Sequence, residues 1–194
     1  MKNLILFLSI FFTSINFCFA QKITVDRIED DGRRQVMCSS KDEKLDGVKY
    51  SFRVKAFEKY GIIDWCLLVS SFNYISDNAI LLIKLGNNEV LEIPINNLNI
   101  GTVHMPSYSY SIGNIAYHTP SREAEYYSAI FAPTELQWSN IEQYGIIKIR
   151  ISSRSSYNEK VWKKDKLGKF IAKSRAKIAE RLNTTSVNSI YNDF

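Results

Sequence analysis

Cysteine and histidine are scarce in this chain, three and two among 194 residues. No Cys-x-x-Cys pair is present, so nothing supports a thioredoxin-like redox site. The histidines, His104 and His118, have no further ligands at helpful spacing, so no metal is expected. Gly-x-Ser-x-Gly, a Walker loop, Gly-x-Gly-x-x-Gly and His-Glu-x-x-His are all missing, and with them the local signatures of the commonest hydrolases, nucleotide enzymes and zinc proteases. Asp30-Asp31 and Asp42-Glu43 are acidic pairs without calcium-loop spacing. No catalytic residue and no cofactor is assigned. Long apolar runs are lacking too: after residue 20 nothing approaches the ~20 residues of a transmembrane helix.

What is present begins at the N-terminus. Lys2 precedes the apolar run Leu4 to Phe12, and Cys18-Phe19-Ala20 supply small-residue cleavage chemistry before Gln21. The pattern is that of a signal peptide over residues 1–20, with export to the periplasm, cell surface or exterior. The run is short for an uncleaved anchor. Phe17 stands where a lipidated cysteine is normally preceded by a small residue, which argues against lipid on Cys18. The remaining ~174 residues suffice for one globular domain, 21–182, followed by a polar tail, 183–194. Hydrophobic residues make up 45% and aromatics 13%, too apolar for a disordered chain.

The formal charge of +5 is unevenly distributed. Residues 21–158 hold 15 Lys/Arg against 16 Asp/Glu, and residues 159–194 hold 9 against 4. The basic excess, Lys160 to Arg181, reads as the solvated face of one amphipathic helix. Export argues against nucleic acid as a partner. Cys38 and Cys66 are the two cysteines of the mature chain. They form either a disulfide closing a loop of about 29 residues, worth roughly 3 kcal/mol, or two buried free thiols.

Period-two alternation marks strands. Val48, Tyr50, Phe52, Val54 and Ala56 alternate with polar residues, and Trp65 to Val69 is apolar on both faces, as a central strand would be. Leu81, Ile83 and Leu85 are separated by Gly86-Asn87-Asn88 from Leu91, Ile93 and Ile95. A three-residue loop sets Ile83 opposite Leu91 and Leu81 opposite Ile93. Pro94 places its strand at an edge, at least locally. Residues 97–123 are expected to be a long loop rich in Asn, Ser, Tyr, Gly and Pro. A strand returns over Glu125–Ala132. Thr134 and Gln137 have capping-box spacing for a short helix with Leu136, Ile141 and Tyr144 inward and Gly145 as its stop. Ile147, Ile149 and Ile151 form another half-buried strand. A C-terminal helix starts at Asn158 or Asp165, is bent or broken near Gly168, and buries Leu167, Phe170, Ile171, Ser174, Ile178 and Leu182.

The segments Leu81–Leu91 and Tyr144–Ile151, the latter set between a short helix and a basic helix carrying Asp165-Lys166-Leu167-Gly168-Lys169, resemble small exported proteins of the Bacteroidetes over about half of the mature chain. The resemblance implies compartment and fold and assigns no functional residue. The fold class expected is α+β, mainly an antiparallel β-sheet or β-sandwich, with a short helix and a basic C-terminal helix packed on it. Tyr108, Tyr110 and Tyr117 are the candidate binding residues, because rigid amphipathic rings among serines suit protein contacts or sugar stacking. The leading functional expectation is a non-enzymatic binding or interaction module for protein or carbohydrate. The alternatives are a hydrolase with dispersed carboxylates and a peripheral binder of an anionic envelope surface.

Overall fold

The computed structural model describes residues 21–153 and 156–185. The expected leader and cleavage point lie outside the described residues, as do residues 186–194 of the expected tail. Twelve strands and two helices follow in order: β1 (Ile23–Ile28), β2 (Arg34–Cys38), β3 (Lys41–Leu45), β4 (Val48–Lys59), β5 (Ile62–Ser71), β6 (Ile80–Leu85), β7 (Val90–Met105), β8 (Tyr108–Ile112), β9 (Ile115–Thr119), β10 (Arg122–Phe131), α1 (Glu135–Tyr144), β11 (Ile146–Ser152), β12 (Tyr157–Val161) and α2 (Leu167–Thr185). The fold is α+β and dominated by antiparallel sheet.

Ten strands form one sheet in the order β1-β2-β4-β5-β10-β7-β6-β11-β12, with β3 also on β4. Strand β7 carries the sheet round a corner, pairing β6 through residues 90–94 and β10 through residues 95–105. Two halves thus face each other in a sandwich-like arrangement. Pro94 lies where β7 passes from one partner to the other, opposite Ile80. Its missing N–H therefore costs no ladder bond in the interior of the sheet.

The curl nearly closes. At the meeting of β3 and β12, the Asp46 N–H donates to the Glu159 carbonyl at 3.1 Å, and the Glu159 N–H donates to Asp46 Oδ2 at 2.8 Å. Lys160 Nζ pairs with Glu43 at 2.5 Å, and Asn158 Nδ2 donates to the Tyr50 hydroxyl at 2.9 Å. Asp46 and Gly47 make the turn before β4 at φ 47° and 83°. Both central residues of such a tight hairpin turn need positive φ, which suits Asp-Gly.

The expected alternation in β4 is observed: Tyr50, Phe52, Val54 and Ala56 are buried. The β6–β7 hairpin has the expected register, Ile83 opposite Leu91 and Leu81 opposite Ile93, with Asn88 at φ 70° closing the loop. Helix α1 has its capping box: the Gln137 N–H donates to Thr134 Oγ1, and the Thr134 N–H to Gln137 Oε1. Gly145 ends it at φ 67°, where a Cβ would meet the Asp165 carboxylate at 2.7 Å. The inward stripe differs from expectation. Leu136 and Tyr144 are exposed, while Trp138 is buried together with Ile141. The larger indole fills the junction with α2, where the Arg175 guanidinium lies between Trp138 at 5.0 Å and Trp65 at 4.7 Å. Strand β11 has a register shift between Ile146 and Lys148, so Ile146 is buried rather than Ile147, alongside Ile149 and Ile151.

The C-terminal helix begins after Asp165, whose carboxylate accepts the Gly168 N–H at 2.8 Å. Asn158 lies instead in β12, and Lys160 with it. Leu167, Phe170, Ile171, Ser174, Ile178 and Leu182 are all buried. Gly168 sits in the first turn, where a Cβ would meet Asp165 at 2.7 Å, and the helix runs on unbroken through Asn183.

Candidate functional site

The segment expected as a loop is a β-ribbon. Beyond Tyr127, which pairs with both Ser71 and Ile100, β10 loses its β5 neighbour. Strands β7 and β10 run on together, from Gly101 opposite Tyr126 to Met105 opposite Arg122. The ladder then stops on both strands at matched dipeptides, Pro106-Ser107 and Pro120-Ser121. Each proline removes a backbone donor. Past this break, β8 and β9 form a separate two-stranded sheet around Gly113-Asn114. Gly113 has φ 58°, at the turn position where a mirror-image turn demands glycine.

The hairpin register decides which side chains share a face. Tyr108 lies opposite Thr119, Tyr110 opposite Tyr117, and Ile112 opposite Ile115. One face therefore carries Tyr108, Tyr110, Ile112, Ile115 and Tyr117, and the other carries Ser109, Ser111, Ala116 and His118. The five apolar and aromatic side chains are between 41% and 64% exposed. Tyr110 stacks on Tyr117 with centroids 5.1 Å apart and on Tyr108 at 6.1 Å. On the polar face, Ser109 Oγ and His118 Nδ1 are 3.0 Å apart. No Asp, Glu, Lys or Arg occurs between Glu92 and Arg122. Exposed aromatics also flank the root of the ribbon: Phe72 meets the edge of Tyr126 at 5.2 Å, and Tyr74 that of Tyr127 at 5.4 Å. The Tyr127 hydroxyl bonds to the Glu125 carboxylate, which pushes the phenol above its ordinary range.

The three tyrosines singled out from the sequence are thus brought together on one face. Ile112 and Ile115 were missed. The signal that would have found them is the alternation Tyr-Ser-Tyr-Ser-Ile, then Ile-Ala-Tyr-His-Thr, about a Gly-Asn turn. The two cysteines are not bridged. Both are buried free thiols, and they lie on opposite faces of the sheet. Cys38 shares a face with Val36, which is paired to Ala56, and donates to the Ser174 carbonyl at 3.6 Å. Cys66 is paired to Lys55 on the other face, and burial pushes its thiol up to about 11.

The histidines lie apart in the fold, His104 opposite Glu123 on the ribbon and His118 on the hairpin. Among the described residues no group of three or more His, Cys, Asp or Glu is placed to hold a metal. The carboxylates whose titration moves, Asp26, Asp31, Asp42 and Glu159, all move downward. Side-chain or backbone hydrogen bonds from Arg34, Arg33, Lys49 and Lys148, respectively, are the first cause. A glycosidase-type general acid needs the opposite shift. No family model matches this chain, and neither a curated protein nor a solved structure matches it.

Proposed function

We propose that this chain is an exported, non-enzymatic interaction module that engages a protein partner through the β8–β9 hairpin. One observation carries the reading: a projecting, charge-free hairpin whose Tyr/Ile face is left uncovered by the described residues. Exposed aromatic clusters of this kind mark interaction sites, and tyrosine supplies large contact area at low entropic cost. The ring geometry favours protein over carbohydrate. A sugar stacks on an open ring face, and here the faces of Tyr110 are turned to Tyr117 and Tyr108. The outer faces of Tyr108 and Tyr117, the ring edges, the hydroxyl groups and the isoleucines remain for contact, a mixture that suits a protein interface. Export rests on the leader pattern of residues 1–20.

A photo-crosslinking residue placed at Tyr117 in the exporting cell should give protein adducts that the same residue at Ser139, exposed on α1, does not. Equal labelling at both positions, or none at Tyr117, counts against the reading. Mass spectrometry of the native protein should find it starting at Gln21, and a mass starting at Met1 counts against export.

A second reading has its own support. Lys163, Lys164, Lys166, Lys169 and Lys173 are exposed and have no carboxylate partner among the described residues. Such a cluster suits an anionic envelope surface. Salt-sensitive binding to anionic vesicles, abolished by Lys169→Ala and Lys173→Ala together, would favour it.

A further inference from the structure

The hairpin has two open edges as well as an open face. Among the described residues sheet β8–β9 contains two strands only, so each has one side whose backbone N–H and C=O groups meet no strand there. Natural proteins guard such edges with lysine, other charges, proline or bulges. Neither β8 nor β9 contains any of these. The prolines sit just outside, at 106 and 120, where they separate the hairpin from the ribbon and leave its edges free.

Strand β8, Tyr-Ser-Tyr-Ser-Ile, is complementary to itself. Laid antiparallel on a second copy about Tyr110, it sets Tyr110 against Tyr110, Tyr108 against Ile112 and Ser109 against Ser111. Every pair matches in polarity and lies on one face, as cross-strand pairing requires. Strand β9 fits itself less well, since Ile115 would meet Thr119 and Ala116 would meet His118. From this the geometry points to a second copy of the same chain as the partner, joined through the β8 edge into a four-stranded sheet about a two-fold axis. The inference rests on the interaction reading above and deepens it by naming the partner.

A homodimer made this way is isologous, the commonest closed symmetry. The joined sheet carries the Tyr/Ile face twice, side by side. The charge-free edge suits a copy of itself because no like charges meet across the two-fold. A lipid surface fits less well, because the edge groups would enter it unpaired. Pairing of two five-residue strands buries far less than the ~1,600 Å² of a standard interface. The dimer is therefore weak and concentration-dependent.

The test is sedimentation equilibrium of residues 21–194 from low to high micromolar concentration. The wild type should dimerise reversibly. Ser109→Lys with Ser111→Lys sets like charges opposite each other across the edge and should weaken the dimer by more than about tenfold. Ser109→Glu with Ser111→Glu should do the same. An equimolar mixture of the two variants should restore a dimer containing one of each. These changes leave the Tyr/Ile face in place, and the unfolding midpoint of each variant reports that the domain still folds. A wild type monomeric at every concentration overturns the inference. So does a wild-type dimer indifferent to the lysines, or a mixture that stays monomeric. Binding of neutral phosphatidylcholine vesicles by a monomeric wild type would replace the second copy with a membrane. Adducts from Tyr117 to a different protein, with no chain-to-chain product, would overturn the second copy while leaving the interaction reading standing.

Discussion

Tyr60 occupies a backbone position that suits it poorly. It and Gly61 make the two-residue turn between β4 and β5 at φ 55° and 79°. The left-handed region costs a residue with a Cβ roughly 1–2 kcal/mol, and asparagine or aspartate least. The matching turn at Asp46-Gly47 obeys that rule. Tyr60 is 89% exposed, and the Lys59 ammonium lies 5.3 Å from its ring centroid. Tyr60→Asn should therefore raise stability by about 0.5–1 kcal/mol in urea titration. A loss would mean that the Lys59–ring contact outweighs the strain. Asp26 is a second informative residue. The Arg34 hydrogen bond is the largest cause holding its carboxyl below the ordinary range, and Arg181 adds to it from α2. Because the folded state lowers this value, its stabilisation is present above the unfolded carboxylate value of ~3.9 and is lost as pH falls through the folded one. Asp26→Asn should lower stability at pH 7 and flatten its decline between about pH 5 and pH 2. An unchanged acid limb would remove Asp26 from the linkage.

Elements that bury one face could be read from the chain, and those that bury none could not. The β6–β7 register followed from Ile83 and Leu91 having to share a face. The face of α2 followed from the 3.6-residue spacing of Leu167 to Leu182. In contrast, β7 beyond Ile100, β8 and β9 are solvated on both sides, so composition there resembled a loop although the backbone ladder is intact. Strand β12, Tyr-Asn-Glu-Lys-Val, reads as polar lead-in to a helix. It becomes a strand through its β11 partner and the ion pairs of Glu159 with Lys148 and Arg150. The stripe of α1 failed because two candidate faces share Ile141, and tertiary packing with Arg175 chose Trp138. The buried face of α2 carries an energetic expectation. Phe170→Ala should cost about 3–5 kcal/mol, the usual range for a buried ring. Lys169→Ala and Lys173→Ala should each fall within about 0.5 kcal/mol of wild type in the same denaturation experiment. A costly lysine change would place its charge in the fold rather than in solvent.

At the scale of the molecule, the core and the hairpin are separable. The buried cluster draws on every layer of the curled sheet and both helices, but on no residue from Pro106 to Ser121. Replacing residues 106–121 with Asn-Gly joins Met105 to Arg122, which already face each other. The product should unfold within about 1 kcal/mol of wild type. A larger loss would show that the hairpin supports the core. The closure of the sheet works the other way, since it ties together parts of the chain far apart in sequence. Asn158–Tyr50, Glu159–Asp46 and Lys160–Glu43 are separated by 108, 113 and 117 residues. Contacts of such separation carry a large loop-closure entropy before they return any energy. The hairpins β3–β4 and β11–β12 can each form locally, but the seam between them needs the whole intervening sheet. It should therefore be absent from the folding transition state, with φ-values near zero. Asn158→Ala, which removes the seam bond to Tyr50 and lies in no turn, should speed unfolding while leaving the refolding rate nearly unchanged in stopped-flow measurements. A slower refolding limb would put the seam in the nucleus. On this account the small polar latch governs how long the folded molecule lasts, and has little to do with how fast it forms.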